Sequence, residues 1–164
     1  MKVYRCKACG YLHVGYAPEE CPMCHGPKSL FSEYEVPDVT GTKTAENLAA
    51  AFAGESQANR KYTLWQQIAQ VEGNEDAAAA FNRPMAEETA HALAEAAYLG
   101  MFSDTKTNLE NAAGGEEYEE KDMYPEFAKI AEEEGFPEIA HFFKMTGHFE
   151  GQHKKGYQDA ASRM

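Results

Sequence analysis

From Thr44 onward, apolar and alanine positions return every three or four residues, the spacing that gathers them on one helical face. The pattern predicts helix A from Thr44, read as an N-cap, to Glu72, with Gly73 as its stop. Helix B follows from Asn74 to about Phe102. Pro84 lies inside it, lacks an amide donor, and should kink or break the helix about one turn before Glu88. Residues 103–113 read as a polar connection, and helix C runs from about Gly114 to Glu134. Gly135-Phe136-Pro137 makes a tight corner into helix D, which ends near Ala161.

The first 35 residues show no such period and carry spaced aromatics, Tyr4, Tyr11 and Tyr16, among glycines and prolines. A β and turn module this small cannot bury enough core unaided and needs a staple. Val36 to Lys43 has linker and turn chemistry. The expected division is therefore a module at 1–35, a linker at 36–43 and helices over 44–164. Short A–B and C–D corners with a longer B–C connection predict a ferritin-like four-helix bundle, so the fold class is mainly α.

Glu-x-x-His recurs on separate helical segments, at Glu88/His91 in helix B and Glu150/His153 in helix D. Residues three apart share a helical face, so each carboxylate converges with its imidazole. Two such pairs, with one inward Glu from each of two further helices, are the ligand set of a di-iron or di-manganese bundle. Helix A offers Glu55, on a stripe with Leu48, Phe52, Asn59 and Tyr62. Burying a carboxylate there is expensive unless something compensates its charge, and metal would do so. In helix D, Ile139, Phe142, Phe143, Thr146, Phe149 and Tyr157 mark an inward face that includes Glu150 and His153. The acidic run Glu116 to Glu120 in helix C has no such guide. Periodicity alone leaves it equally well read as solvated partners of the helix dipole. Glu95 shares the face of Glu88 and His91 one turn on and reads as a supporting or surface group; Glu87 lies on another face.

All four cysteines fall in two pairs, Cys6/Cys9 and Cys21/Cys24. Four thiolates at knuckle spacing predict a tetrahedral sulfur site suited to zinc or iron, and spacing alone does not choose between them. A redox bundle in the same chain needs an electron source, which favours iron. In a reducing compartment these pairs read as metal ligands rather than disulfides. Asp and Glu outnumber Lys and Arg by 27 to 15, a formal charge of -12, which argues against a nucleic-acid partner. No apolar run is long enough to span a bilayer and no signal peptide is recognisable, so a cytoplasmic location is expected.

Cys6-Lys-Ala-Cys9-Gly10-Tyr11 followed by Cys21-Pro-Met-Cys24 resembles rubredoxin, and the short gap between knuckles looks like the abbreviated rubredoxin module of rubrerythrins. Phe52-Ala-Gly-Glu55-Ser-Gln-Ala58 is similar to the first rubrerythrin helix. Gly115-Glu-Glu-Tyr-Glu119 with Met123-Tyr-Pro125 and Phe127-Ala128 is similar to the third. The matches keep their order over nearly the whole chain. The resemblance implies an Fe(Cys)4 centre on Cys6, Cys9, Cys21 and Cys24. It further implies a di-iron centre on Glu55, Glu88, His91, Glu116, Glu119, Glu150 and His153, leaving Glu117 and Glu120 outside. Five carboxylates against two ferrous ions give about -1, a near balance that a low-dielectric interior requires.

The resemblance also implies that Glu119 and His91 exchange as ligands of one iron with redox state, since ferric iron favours an anionic oxygen and ferrous iron tolerates neutral nitrogen. Tyr62 and Tyr124 correspond to tyrosines that hydrogen-bond the ligating carboxylates. Rubrerythrins usually carry the rubredoxin module after the bundle. Here it comes first, resembling the reverse rubrerythrin arrangement. His25 stands where glycine is common after the last cysteine and reads as an exposed turn residue. His141, His148, Met145 and Trp65 read as packing or surface residues.

The function so implied is reduction of hydrogen peroxide to water in oxidative-stress defence, with electrons relayed through the Fe(Cys)4 centre. An external NAD(P)H-dependent rubredoxin reductase, or rubredoxin, is the expected donor, because no Gly-rich dinucleotide-binding turn occurs in the chain. A head-to-tail or domain-swapped homodimer is expected, each Fe(Cys)4 centre serving the partner's di-iron site. The rival readings are a ferroxidase or ferritin-like iron-handling protein, and a non-catalytic module with structural zinc at the cysteines.

Overall fold

In the computed structural model, which describes residues 1–164, the first of two units spans Met1–Phe102. It opens with a three-stranded antiparallel sheet in which β1 (Val3–Cys6) lies between β2 (Leu12–Val14) and β3 (Phe31–Glu33). Register pairs Tyr4 with His13 on one side and Glu33 on the other. Both cysteine pairs sit on turns. Gly10 closes the first by donating its amide to the Cys6 carbonyl at 2.9 Å with φ +87°, a conformation glycine adopts without penalty. His25 closes the second from φ +59°, donating to the Cys21 carbonyl at 2.9 Å. That positive φ explains why glycine suits the position, and His25 is exposed there as expected.

Helix α1 spans Lys43–Val71. Its cap is Thr42, whose hydroxyl oxygen accepts the Ala45 amide at 3.1 Å, so the cap lies two residues before the expected Thr44. Gly73, at φ +71°, follows the C-terminus as expected. The second helix is split into α2 (Glu75–Ala80) and α3 (Asn82–Tyr98). The break at Phe81 follows from Pro84, whose ring excludes the carbonyl four residues back, at Ala80. Gln66 spans the break from α1, donating to Ala78 O at 3.1 Å and Asn82 Oδ1 at 2.5 Å. Helix α3 stops at Tyr98 rather than Phe102 because Gly100 turns the chain at φ +69°.

The second unit is Ser103–Met164. Its first helix, α4, covers Thr105–Tyr118 and so begins well before the expected Gly114. Asp104 starts it, accepting the Thr107 amide at 3.0 Å and the Thr107 hydroxyl at 2.7 Å. Most of 103–113 is therefore helix and not connection. The expected helix C is also not one regular rod. A π-helical turn, Glu119–Met123, separates α4 from α5 (Tyr124–Glu133). Pro125 cannot donate to the preceding turn, and an extra residue accommodates that defect. Helix α6, Pro137–Ser162, folds back along α4 and α5. Gly147 faces Tyr124 and Gly151 faces Glu120.

Each helical pair leaves large apolar side chains exposed. Leu64, Ile68 and Leu93 do so in the first unit, and Phe127, Ile130, Phe142 and Phe149 in the second. No helix is long and apolar enough to cross a membrane.

Candidate metal centres

The four cysteines come together as free thiols, with Cys6 Sγ 3.8 Å from Cys24 Sγ and Cys9 Sγ 3.6 Å from Cys21 Sγ. Burial alone pushes the Cys6 thiol up, but the backbone N–H groups of Cys9 and Ala8 bring it down to about 7. Burial holds the Cys9 thiol up at about 12 and raises Cys21 as well. Crowded sulfurs with peptide donors aimed at them favour thiolate only when a cation neutralises the charge, so the donor set fits a tetrahedral zinc or iron. Cys6 and Cys21 share a buried cluster with Tyr11 and with Ala90 and Ala94 of α3. Tyr98 on the same helix fastens the first knuckle, donating its hydroxyl to the Gly10 carbonyl at 2.8 Å, while Arg5 Nε reaches the Tyr98 oxygen at 3.4 Å.

One carboxylate group belongs to the first unit. Glu55 of α1 and Glu88 and His91 of α3 bring one ligand atom each within 4.8 Å of one another. His91 Nδ1 lies 2.9 Å from Glu88 Oε2 and 3.9 Å from Glu55 Oε1. Burial, a hydrogen shared with Glu88 and the Glu88 charge raise the Glu55 pKa. Asn59 locks the two helices beside these ligands, its Nδ2 donating to Met85 O at 2.7 Å and Thr89 Oγ1 at 2.9 Å. The sequence pattern had placed Asn59 on the Glu55 stripe without giving it that role.

The second unit repeats the arrangement with Glu116 of α4 and Glu150 and His153 of α6, again within 4.8 Å. His153 Nδ1 lies 2.7 Å from Glu150 Oε2 and 3.9 Å from Glu116 Oε2. Burial, a hydrogen shared with Glu150 and the Glu150 charge raise the Glu116 pKa. The buried Glu116 Oε2 has no hydrogen-bond partner. Two carboxylates and an imidazole converging on one point, with a carboxylate oxygen lacking a partner, fit a hard or borderline cation such as iron or manganese. Each unit therefore carries three of the seven expected ligands in one group.

The remaining predicted residues divide. Glu119 opens the π-helical turn and stands outside the three-residue group. Tyr124 is close to it: burial raises the Tyr124 pKa, reinforced by the charges of Glu119, Glu150 and Glu116. Tyr62 packs its ring against Trp65 at 5.7 Å and Phe81 at 5.9 Å and makes no side-chain hydrogen bond to a carboxylate. Glu117 pairs with Lys121, and Glu120 with Lys154, so both acids left out of the ligand set have ammonium partners. Glu87 is likewise paired, with Arg83 at 2.7 Å. Glu95 keeps one buried carboxylate oxygen without a partner, and burial raises its pKa.

The family model described as Rubrerythrin matches residues 46–102 and 94–161, and that of the rubrerythrin rubredoxin-like domain matches residues 4–32. Rubrerythrin of Porphyromonas gingivalis is 39% identical over 132 residues, covering 73% of this chain and 66% of that protein. Rubrerythrin-1 of Clostridium acetobutylicum is 42% identical over 134 residues, covering 71% and 69%. Reverse rubrerythrin-1 of Clostridium acetobutylicum is 34% identical over 126 residues, covering 67% and 70%. The aligned part thus spans about two thirds of the length of these relatives.

Proposed function

This chain belongs to the rubrerythrin family, and we propose that it reduces hydrogen peroxide to water in oxidative-stress defence. The observation that carries the reading is the repeated group of two carboxylates and one imidazole, with a four-thiolate site in the same chain. In this reading residues 1–35 relay electrons, 36–43 link, and 44–164 supply the bundle. Cys6, Cys9, Cys21 and Cys24 hold one iron. Glu55, Glu88, His91, Glu116, Glu119, Glu150 and His153 hold a pair, with Glu119 and His91 as the ligands that exchange.

Bound there, iron would supply single-electron storage at the thiolates and two-electron reduction of the O–O bond at the carboxylate and imidazole ligands. The protein's own side chains do the rest. Tyr124, set near Glu116, Glu119 and Glu150 with its pKa raised by burial, keeps its proton and can donate it from Oη. Tyr62 is proposed for the same role on α1 by resemblance, its ring packed here on Trp65 and Phe81. Lys121 and Lys154 neutralise Glu117 and Glu120, which keeps spare acids away from the metal.

A homodimer completes the centre. Each unit offers one group of two carboxylates and one imidazole, and a second copy is proposed to bring such groups together as a pair. The module's place ahead of the bundle, together with the relative named reverse rubrerythrin-1, supports a reverse arrangement. We assign the protein to the cytoplasm and its electrons to an NAD(P)H-dependent rubredoxin reductase or rubredoxin.

Stopped-flow oxidation of the fully reduced, iron-loaded protein tests the function. Peroxide should oxidise it faster than O₂ does. Faster oxidation by O₂ would instead make it a ferroxidase or iron-handling protein.

A further inference from the structure

The first cysteine knuckle is held from outside by a line of polar contacts that begins at a cation. Arg5 of β1 lays its guanidinium over the Tyr34 ring at 5.7 Å and reaches the Tyr98 hydroxyl oxygen with Nε at 3.4 Å. Tyr98, the last residue of α3, donates its hydroxyl hydrogen to the Gly10 carbonyl at 2.8 Å. All of these groups belong to the unit Met1–Phe102. The Gly10 carbonyl shares one planar peptide group with the Tyr11 N–H. Burial pushes the Cys9 thiol up, and that Tyr11 N–H, donating to the Cys9 sulfur, works against it. Gly10 keeps the path open, since a Cβ there would stand 3.5 Å from Arg5 Nη2 and 3.7 Å from Tyr98 Oη.

A peptide group is polarised as a unit. A donor on its oxygen draws electron density from its nitrogen and strengthens the hydrogen bond that the N–H gives. Reducing a four-thiolate iron adds one negative charge to the group, so each donor aimed at a sulfur favours the ferrous form. We propose that Tyr98, backed by Arg5, raises the reduction potential of the thiolate site through the Gly10–Tyr11 peptide. Tyr98 is a positioning residue: its hydroxyl bonds to the backbone of the knuckle and not to a sulfur. The helix that supplies Glu88 and His91 thereby helps to set the potential of a module built from other residues. This rests on the reading above that Cys6, Cys9, Cys21 and Cys24 hold iron.

A mediated redox titration of the iron-loaded full chain, followed by the ferric–thiolate absorption, tests the proposal. Each electron taken up converts one ferric ion to ferrous, and no bond forms or breaks. Tyr98→Phe keeps the ring and removes the donor, so the ferrous form should lose about threefold in the equilibrium, about 30 mV for one electron. Loosened packing would act in the opposite sense, because water admitted beside the sulfurs favours the more highly charged ferrous form. Arg5→Met should also lower the potential, and by less in the Tyr98→Phe background, where the path is already cut. Tyr98→fluorotyrosine keeps the contacts and donates more strongly, so it should raise the potential; it carries the test if Tyr98→Phe does not fold. An unchanged or raised potential in Tyr98→Phe would overturn the inference, as would equal effects of Arg5→Met in the two backgrounds. A wild-type chain that takes up iron without ferric–thiolate colour would instead overturn the reading beneath it.

Discussion

His153 holds its Nδ1 2.7 Å from Glu150 Oε2, and His91 stands in the same relation to Glu88 at 2.9 Å. Both pairs come from a carboxylate three residues before an imidazole on one helical face. On the proposed reading each ligand group would serve one ion of the pair, so His153→Ala should remove about one bundle iron per chain. The iron–thiolate colour should persist. Metal analysis beside the visible spectrum checks this, and unchanged bundle iron in His153→Ala would break the assignment.

Cys9→Ser should separate the two redox tasks. Protein reduced beforehand should still consume a single equivalent of peroxide, because the carboxylate ligands are untouched. Steady-state turnover with a reductase should collapse, because on the proposed reading re-reduction passes through the thiolates. Single-turnover and steady-state rates measured on the same preparation decide it, and equal loss of both would contradict the division of labour.

Acid and metal should act oppositely on the bundle. The folded, metal-free chain holds protons on Glu55 and Glu116 more tightly than the unfolded chain does, because burial and a neighbouring carboxylate raise both pKa values. The stability these groups contribute is present below the ordinary carboxylate value and is lost as pH rises through the raised one. Thermal midpoints of the metal-free protein should therefore fall as pH rises above the ordinary carboxylate range, about pH 4, on account of these groups. Iron-loaded protein should gain stability over the same range, since ligation requires ionised carboxylates. Parallel melting curves with and without iron test the sign.

Gly147→Ala should disturb the second group without touching a ligand. A Cβ there would meet the Tyr124 Cβ at 3.0 Å, an atom fixed close to its own backbone, so α5 and α6 must separate. Overpacking of this kind costs about 1–3 kcal/mol. Asn59→Ala acts on the first group by deleting the amide that joins Met85 and Thr89 to α1, at about 1–3 kcal/mol for a lost buried partner. Denaturant titration checks both, and a change below the lower bound in either would deny the packing role.

Much of the architecture was written in local chemistry. Gly73 and Pro84 punctuated the helices where the chain turns or breaks, and Glu88/His91 and Glu150/His153 came out as matched groups. Misread positions were those where one polar residue decides between helix and loop. Asp104 caps α4 through Thr107, yet the stretch it opens is so polar that periodicity hid it. Thr42 and Thr44 are both plausible caps, and only the Ala45 hydrogen bond distinguishes them. Tertiary roles were beyond local reading. Asn59 looks like any stripe residue until its partners on α3 are known, and the seat of the thiolate module on Ala90 and Ala94 has no periodic signal.

The π-helical turn at Glu119–Met123 makes the region a phase shifter. Were ordinary i→i−4 bonding to run through with all five residues kept, everything from Tyr124 onward would rotate by about 100° relative to Glu116. The phenol would swing off the acidic cluster and Gly147 would lose its facing ring, with composition unchanged. One surplus residue thus sets the rotational timing between a metal-holding surface and a proton-holding one.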